Sequence, residues 1–283
     1  MQPLTLSPSV SVTADGPLTI LAGPCQAEGY DLCVRVGSAL RDRCAQLGLP
    51  YVFKASFDKA NRTSASGRRG PGLDAGLELL ARVKAELGVP LTTDVHLPEQ
   101  AAVAAQAGVD LLQVPAFLCR QTDLLEACAA TPAAVNVKKG QFLSPAEMGQ
   151  VVEKVRRARP AADAPRAMVT DRGTFFGYHR LVNDFAGLGD LLDPETGPGV
   201  PVCFDATHSV QQPGAAAGGT ATGGRRERAP LLARCAVAAG VHALFLETHP
   251  DPEHAASDAA VMLPLEQTLE LLPRLVKLHE VTR

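Results

Sequence analysis

No apolar run in this chain of 283 residues reaches the roughly 18 to 20 positions that a membrane span requires, so a membrane partner is not expected. The opening stretch MQPLTLSPSVSVTADG lacks the basic-then-apolar layout of a secretory leader, which places the protein in the cytoplasm. Seven cysteines occur without a C-x-x-C pair. That excludes a disulfide framework and a zinc ribbon, while leaving room for one thiolate that does chemistry. No G-x-G-x-x-G follows a strand, so no nucleotide or organic cofactor is expected. A formal net charge of −3 speaks against a broad nucleic-acid surface. No internal repeat and no shift in composition divides the chain, and residues 1–283 read as one domain.

With 46% hydrophobic and 20% charged residues, the chain can bury a sizeable core. Apolar β-type runs alternate with helical segments: LTILAGPC (18–25), YVFKASF (51–57), LTTDV (91–95), LLQVPAF (111–117), AVNVKKG (134–140), AMVTDRG (167–173), PVCFDAT (201–207) and ALFLETH (243–249). Eight strand–helix units in a chain of this length predict a single-domain α/β (β/α)8 barrel, with residues 1–17 as an N-terminal β-hairpin capping its bottom. SPAE at 144–147 sets a capping Ser, a first-turn Pro and a Glu at the third helical position, N3, before a helix. Pro273 is expected to kink or break the last helix. Residues 187–199 and 211–226 read as loops, the second as a lid.

A barrel enzyme works at the C-terminal ends of its strands. Here those ends carry Cys25; Lys54, Ser56 and Lys59; Asp94 and His96; Gln113, Pro115, Ala116 and Arg120; Lys138 and Lys139; Asp171 and Arg172; Asp205 and His208; Glu247 and His249. The stretch 53–72 alone holds Lys54, Lys59, Arg62, Arg68 and Arg69 against the single acid Asp58. Lys54, Lys59, Arg62, Arg120, Lys138 and Arg172 on one face predict a positive basin for a phosphorylated or phosphocarboxylate substrate. Arg68 and Arg69 read equally well as a solvated loop. Cys25, His208, Glu247 and Asp258 offer a thiolate, an imidazole and two carboxylates, a donor set for Zn2+, Fe2+ or Mn2+. No spacing motif ties these four together, and a cysteine in a GPC turn also reads as a small buried hydrophobe. A Schiff-base aldolase using Lys138, and a phosphosugar-binding module without catalysis, remain as rivals.

FKASFDKANR, QVPAFLCRQTDLL, AVNVKKGQF, DRGTFFGY, FDATHSVQ and ETHPDPEHAASD together resemble the 3-deoxy-D-manno-octulosonate 8-phosphate synthase family from Leu18 to the last helix. The resemblance implies a (β/α)8 barrel, a homotetramer, and condensation of phosphoenolpyruvate with arabinose 5-phosphate for Kdo and lipopolysaccharide biosynthesis. Cys25 stands where the metal-dependent members carry Cys and the others Asn, which implies a divalent ion on Cys25, His208, Glu247 and Asp258. It implies the phosphoenolpyruvate phosphate on Lys138 and Arg172, and its carboxylate near Lys54, Ser56 and Lys59. Asn61, Arg62 and Thr63 would hold the sugar phosphate, with Arg120 reaching it from a neighbouring subunit. Gln113, Pro115 and Ala116 complete the substrate-binding set, and Lys54, Lys59, Asp94, Lys138 and His208 are the catalytic candidates. Related synthases that use erythrose 4-phosphate tend to read KPRTS where this chain reads KANRTS. Asn61 supplies hydrogen bonds that Pro would not, which favours the pentose.

Overall fold

The computed structural model describes residues 1–60, 69–159, 166–177, 179–215 and 222–282. A hairpin of β1 (Leu4–Ser7) and β2 (Val10–Val12) precedes β3 (Thr19–Gly23), α1 (Tyr30–Gln46), β4 (Tyr51–Lys54) and α2 (Leu73–Leu87). Next come β5 (Leu91–Asp94), α3 (Pro98–Gln106), β6 (Leu111–Val114), α4 (Thr122–Ala129), β7 (Ala134–Lys138) and α5 (Pro145–Arg157). Then follow β8 (Ala167–Asp171), a second hairpin of β9 (Thr174–Gly177) and β10 (Arg180–Val182), α6 (Phe185–Leu192) and β11 (Val202–Asp205). The chain ends with the short pair β12 (Gln211–Gln212) and β13 (Gly223–Gly224), α7 (Ala229–Ala238), β14 (Ala243–His249), β15 (Leu263–Pro264) and α8 (Leu265–Thr282).

Among the described residues, β3, β4, β5, β6, β7, β8, β11 and β14 pair in parallel, and β14 closes on both β3 and β11. The (β/α)8 barrel expected from the alternating pattern is therefore present. Each barrel strand is buried along its whole length, as strands covered on both faces must be. One apolar cluster lies between strands and helices. The other fills the barrel's lower interior, where Leu4, Leu6, Val10 and Val12 of the first hairpin pack on Leu21, Val52, Met168 and Phe245. The hairpin thus caps the bottom and leaves the opposite mouth for chemistry. Ser144 and Glu147 form the expected capping box: the Ser144 N–H and hydroxyl both donate to Glu147 Oε2, at 2.8 and 2.9 Å. The buried face of α5 then repeats at Met148, Val151, Val152 and Val155.

Two expectations need correction. The stretch 187–199 is not a loop throughout, because its first half belongs to α6. Asp184 caps that helix through Gly187 N–H, at 3.1 Å. The glycine that suggested a loop serves close packing instead: a Cβ at Gly187 would lie 2.7 Å from Asp184 Oδ2 and 3.1 Å from Pro145. Pro273 likewise does not break α8, which runs through it from Leu265 to Thr282. Proline cannot donate to the carbonyl four residues back, that of Leu269, but Arg43 Nε donates to it from α1 at 3.3 Å. Leu271, Leu272 and Leu275 bury the adjoining face. Arg43→Ala is therefore expected to destabilise the protein by about 1 kcal/mol in urea unfolding, the size of one net hydrogen bond.

Candidate active site

At the C-terminal mouth lies a cavity of about 440 Å³. Lys54, Lys59, Asp94, Gln113, Pro115 and Ala116 line one side. Lys138, Arg172, His208, Glu247 and Asp258 line the other. Residues 233 positions apart are thus brought together: Cys25 Sγ donates to Asp258 Oδ2, in the segment after β14, at 3.1 Å. Gly23, two residues before Cys25, lets β3 lie close to β4, since a Cβ there would stand 2.0 Å from the Lys54 carbonyl oxygen.

The cations do not stand free. Lys54 is ion-paired with Glu247, both fully buried, and donates to the Cys25 carbonyl at 2.9 Å. Lys138 pairs with Asp205, and its Nζ lies 3.7 Å from the centre of the Phe245 ring. Lys59 lies 3.7 Å from Asp94 and 3.9 Å from Glu247. Arg172 donates to Gln211, which in turn donates to Asp258 Oδ1 at 3.3 Å. Lys139 pairs with Asp171 at 3.3 Å. Among the described residues the expected positive basin is therefore lined by both signs: Lys54, Lys59, Lys138 and Arg172 face Asp94, Asp205, Glu247 and Asp258. Charges are this tightly paired because unpaired charges cannot be buried.

The pairing sets the ionisation. Burial alone would raise Asp94, but Lys59 and Lys54 outweigh it and hold the carboxyl well below its ordinary range. Burial opposes the ionised form of Asp258 in the same way, yet His208 and Lys59 hold it low. Asp205 is depressed by His208 and Lys138 against its own burial. For Lys59, burial works against the charge, and Cys25, Glu247 and Asp94 more than offset it, raising its pKa. The Cys25 thiol is pushed well up by burial and by the neighbouring Glu247.

Ligand atoms of Cys25, Glu247 and Asp258 lie within 4.8 Å of one another. His208 Nδ1 is 2.7 Å from Asp205 Oδ2, so Nδ1 donates to that carboxylate and Nε2 faces the cluster. That Nε2 lies 3.4 Å from Glu247 Oε2 and 3.9 Å from Asp258 Oδ2. Glu247 Oε2 is buried and has no hydrogen-bond partner. The His208 nitrogen and two carboxylates, one with an orphaned oxygen, thus converge with the Cys25 sulfur on one point, an arrangement that calls for a cation among them. The donor set therefore fits a divalent ion, with Asp205 as the carboxylate that orients the histidine. Asp258 itself takes a left-handed backbone, φ 50°, a conformation of the kind retained at functional sites.

Other predicted positions fall differently. Arg120 is exposed beyond the cavity, between the turn Ala116–Leu118 and α4, and does not join the basin. Lys154 donates to its carbonyl at 2.9 Å. Ser56 is buried, and its hydroxyl donates to Asp94 rather than into the cavity. Asn61, Arg62, Thr63 and Arg68 lie outside the described residues. Arg69 is exposed and pairs with Asp58, the solvated-loop alternative. Of the stretch 211–226, β12 and β13 pair as a short antiparallel ladder, and 216–221 lie outside the described residues. The sequence reading assigned no role to Asp205, Phe245 or Gln211. Asp205 was visible as a charge ending an apolar strand, but nothing in the sequence marks Phe245 as the floor beneath two lysines.

A parallel barrel with buried ion pairs, a sulfur–nitrogen–oxygen donor cluster and a concave mouth at its strand ends is built as an enzyme. The DAHP synthetase I family matches residues 2–283, and the chain belongs to that family. Curated relatives include a 2-dehydro-3-deoxyphosphooctonate aldolase from Rhodopseudomonas palustris (strain TIE-1), 50% identical over 99% of this chain and 96% of the relative. Proteins of the same name from Nitrobacter winogradskyi and Verminephrobacter eiseniae are 53% and 51% identical, over 97% and 94% of this chain and 94% and 92% of the relatives.

Proposed function

We propose that this protein condenses phosphoenolpyruvate with D-arabinose 5-phosphate and water, giving 3-deoxy-D-manno-octulosonate 8-phosphate and inorganic phosphate. The observation that carries the reading is the convergence of Lys54, Lys59, Lys138 and Arg172 on one cavity beside Cys25, His208, Glu247 and Asp258. Relatives matched over nearly their whole length and named for the octulosonate product favour the pentose phosphate over the tetrose. The phosphate of phosphoenolpyruvate lies between Lys138 and Arg172, and its carboxylate at Lys54 and Lys59, with Ser56 orienting Lys59. Asn61, Arg62 and Thr63 hold the sugar, and Arg120 reaches the sugar phosphate of a neighbouring site in a cytoplasmic homotetramer.

The C2=C3 electron pair of phosphoenolpyruvate attacks the aldehyde carbon, whose oxygen takes a proton. Water then adds at C2, and phosphate departs with cleavage of its C2–O bond. The protein's task is to hold two anions together in reacting orientation, which preset cations in a water-poor cavity accomplish. Phe245 supplies an apolar floor that keeps Lys54 and Lys138 short of water. Cys25, His208, Glu247 and Asp258 would hold a Zn2+, Fe2+ or Mn2+ ion, which supplies Lewis acidity toward a carbonyl or a water. The Schiff-base rival is disfavoured, because Lys138 is engaged with Asp205 and the Phe245 ring as a cation, whereas a nucleophilic amine needs its lone pair free.

Phosphate release should be measured from phosphoenolpyruvate with arabinose 5-phosphate, after EDTA and after adding back Mn2+ or Zn2+, with erythrose 4-phosphate as the competing aldose. Release with the pentose, abolished by chelation and restored by metal, is expected. Release only with the tetrose, or with neither sugar, would overturn the assignment, and chelator-resistant release would overturn the metal site alone.

A further inference from the structure

Beneath the cavity floor a chain of uncharged side chains crosses neighbouring barrel strands. Thr170 Oγ1 on β8 donates to Asn136 Oδ1 on β7 at 2.7 Å, and Asn136 Nδ2 donates to Gln113 Oε1 on β6 at 3.1 Å. Gln113 Nε2 donates to Asp94 Oδ1 at the end of β5. Ser56, just beyond β4, donates to Asp94 Oδ2 and accepts from Lys59 Nζ at 2.9 Å. Thr170 and Asn136 are fully buried, in strands that are otherwise apolar up to their terminal Lys138 and Asp171. Neither reaches the cavity, and neither is used by the reaction as described above.

The chain has only one workable sense. With Lys59 Nζ 3.7 Å away, Asp94 is a carboxylate and can only accept. Gln113 must then present its NH2 to Asp94, which turns its carbonyl oxygen toward Asn136. Asn136 must answer with its NH2, which leaves its own oxygen to Thr170, and Thr170 must donate. Reversing any link sets two acceptors against each other, down to the carboxylate. Such a fully satisfied buried network fixes one arrangement of its members.

We infer that Asn136 and Thr170 are positioning residues: through Gln113 they hold Asp94, and through Asp94 and Ser56 they aim Lys59 at the phosphoenolpyruvate carboxylate. The inference rests on the function proposed above. It differs from a purely structural role in being one-sided: among the described residues the chain ends on Ser56 and Lys59, groups assigned to phosphoenolpyruvate.

The test compares Thr170→Val, which keeps the shape and removes the donor, with Thr170→Ser, which restores the donor. Binding of phosphoenolpyruvate without sugar is read by calorimetry, and kcat with both KM values by phosphate release. Thr170→Val is expected to weaken phosphoenolpyruvate binding about tenfold, the size of one lost buried hydrogen bond. The KM for arabinose 5-phosphate should stay as in wild type, and Thr170→Ser should recover affinity to within about twofold. Asn136→Asp removes the donor to Gln113 and should lower kcat/KM for phosphoenolpyruvate by about 100-fold or more. Should that variant fail to fold, the Thr170 pair decides alone. Thr170→Val equal to wild type, or weakened equally toward both substrates, would overturn the inference while leaving the synthase reading intact. A wild-type protein that releases no phosphate would overturn that reading first, and this inference with it.

Discussion

Cys25→Asn is expected to lower affinity for Zn2+ or Mn2+ by more than about 100-fold. Residues that merely orient a ligand typically contribute about 10- to 100-fold, and the Cys25 sulfur is one of the atoms of the cluster itself. A neutral amide replaces a soft anionic donor, and the remaining His208, Glu247 and Asp258 then present one nitrogen and two carboxylates. The exchange is close in size and keeps a polar group in a fully buried position, so the fold should survive, as circular dichroism would show. Affinity is read by competition with a chromophoric chelator, alongside Asp258→Asn as a second ligand variant. Retention of wild-type affinity in Cys25→Asn would remove the cysteine from the proposed site.

Folding stability should fall steeply between about pH 9 and pH 12, for a reason unrelated to catalysis. Burial pushes the thiols of Cys33, Cys44, Cys128 and Cys203 up to about 12. In the unfolded chain the same thiols ionise near 9. A folded-state pKa raised above the unfolded value gives stability that is complete below the unfolded pKa and is lost as pH rises toward the folded one. In that window the unfolded chain has released protons that the native state still holds, so unfolding becomes more favourable by about 1.4 kcal/mol per pH unit for each thiol. The four together give roughly 5 kcal/mol per unit, enough to unfold a protein of ordinary stability before pH 11. Buried Tyr51, raised well above its ordinary value by burial, adds in the same direction. Urea unfolding at half-unit steps from pH 8 to 11 measures the slope, and Cys44→Ala should lessen it by one thiol's share. A flat profile to pH 10.5 would show that these thiols do not stay protonated in the native state.

Much of this protein is legible in its amino-acid sequence. Strand–helix alternation gave the barrel because parallel strands buried on both faces leave apolar runs of a recognisable length. Strand ends then named the mouth: Lys54, Lys59, Asp94, Gln113, Lys138, Arg172, His208 and Glu247 all line the cavity. Local signals were legible wherever the physics is local, as in the Ser144–Glu147 cap. They misled where a distant partner intervened. The glycines of α6 looked like a loop, but Gly187 makes room for Asp184 and Pro145. Pro273 looked like a break, but Arg43, 230 positions earlier in sequence, serves the carbonyl the proline leaves open.

Sequence alone determined the architecture, the residues at the strand ends and the chemical types available there, because periodicity and capping depend on neighbours within a few positions. Only the tertiary structure decided how those groups pair. It set Lys138 on Asp205 and Lys54 on Glu247, gathered Cys25 with Asp258 across the closed barrel, and strung Thr170, Asn136 and Gln113 toward Asp94. The physical reason is that a buried charge or polar group must be satisfied by whatever stands beside it in space, and barrel closure makes neighbours of residues that the chain keeps far apart.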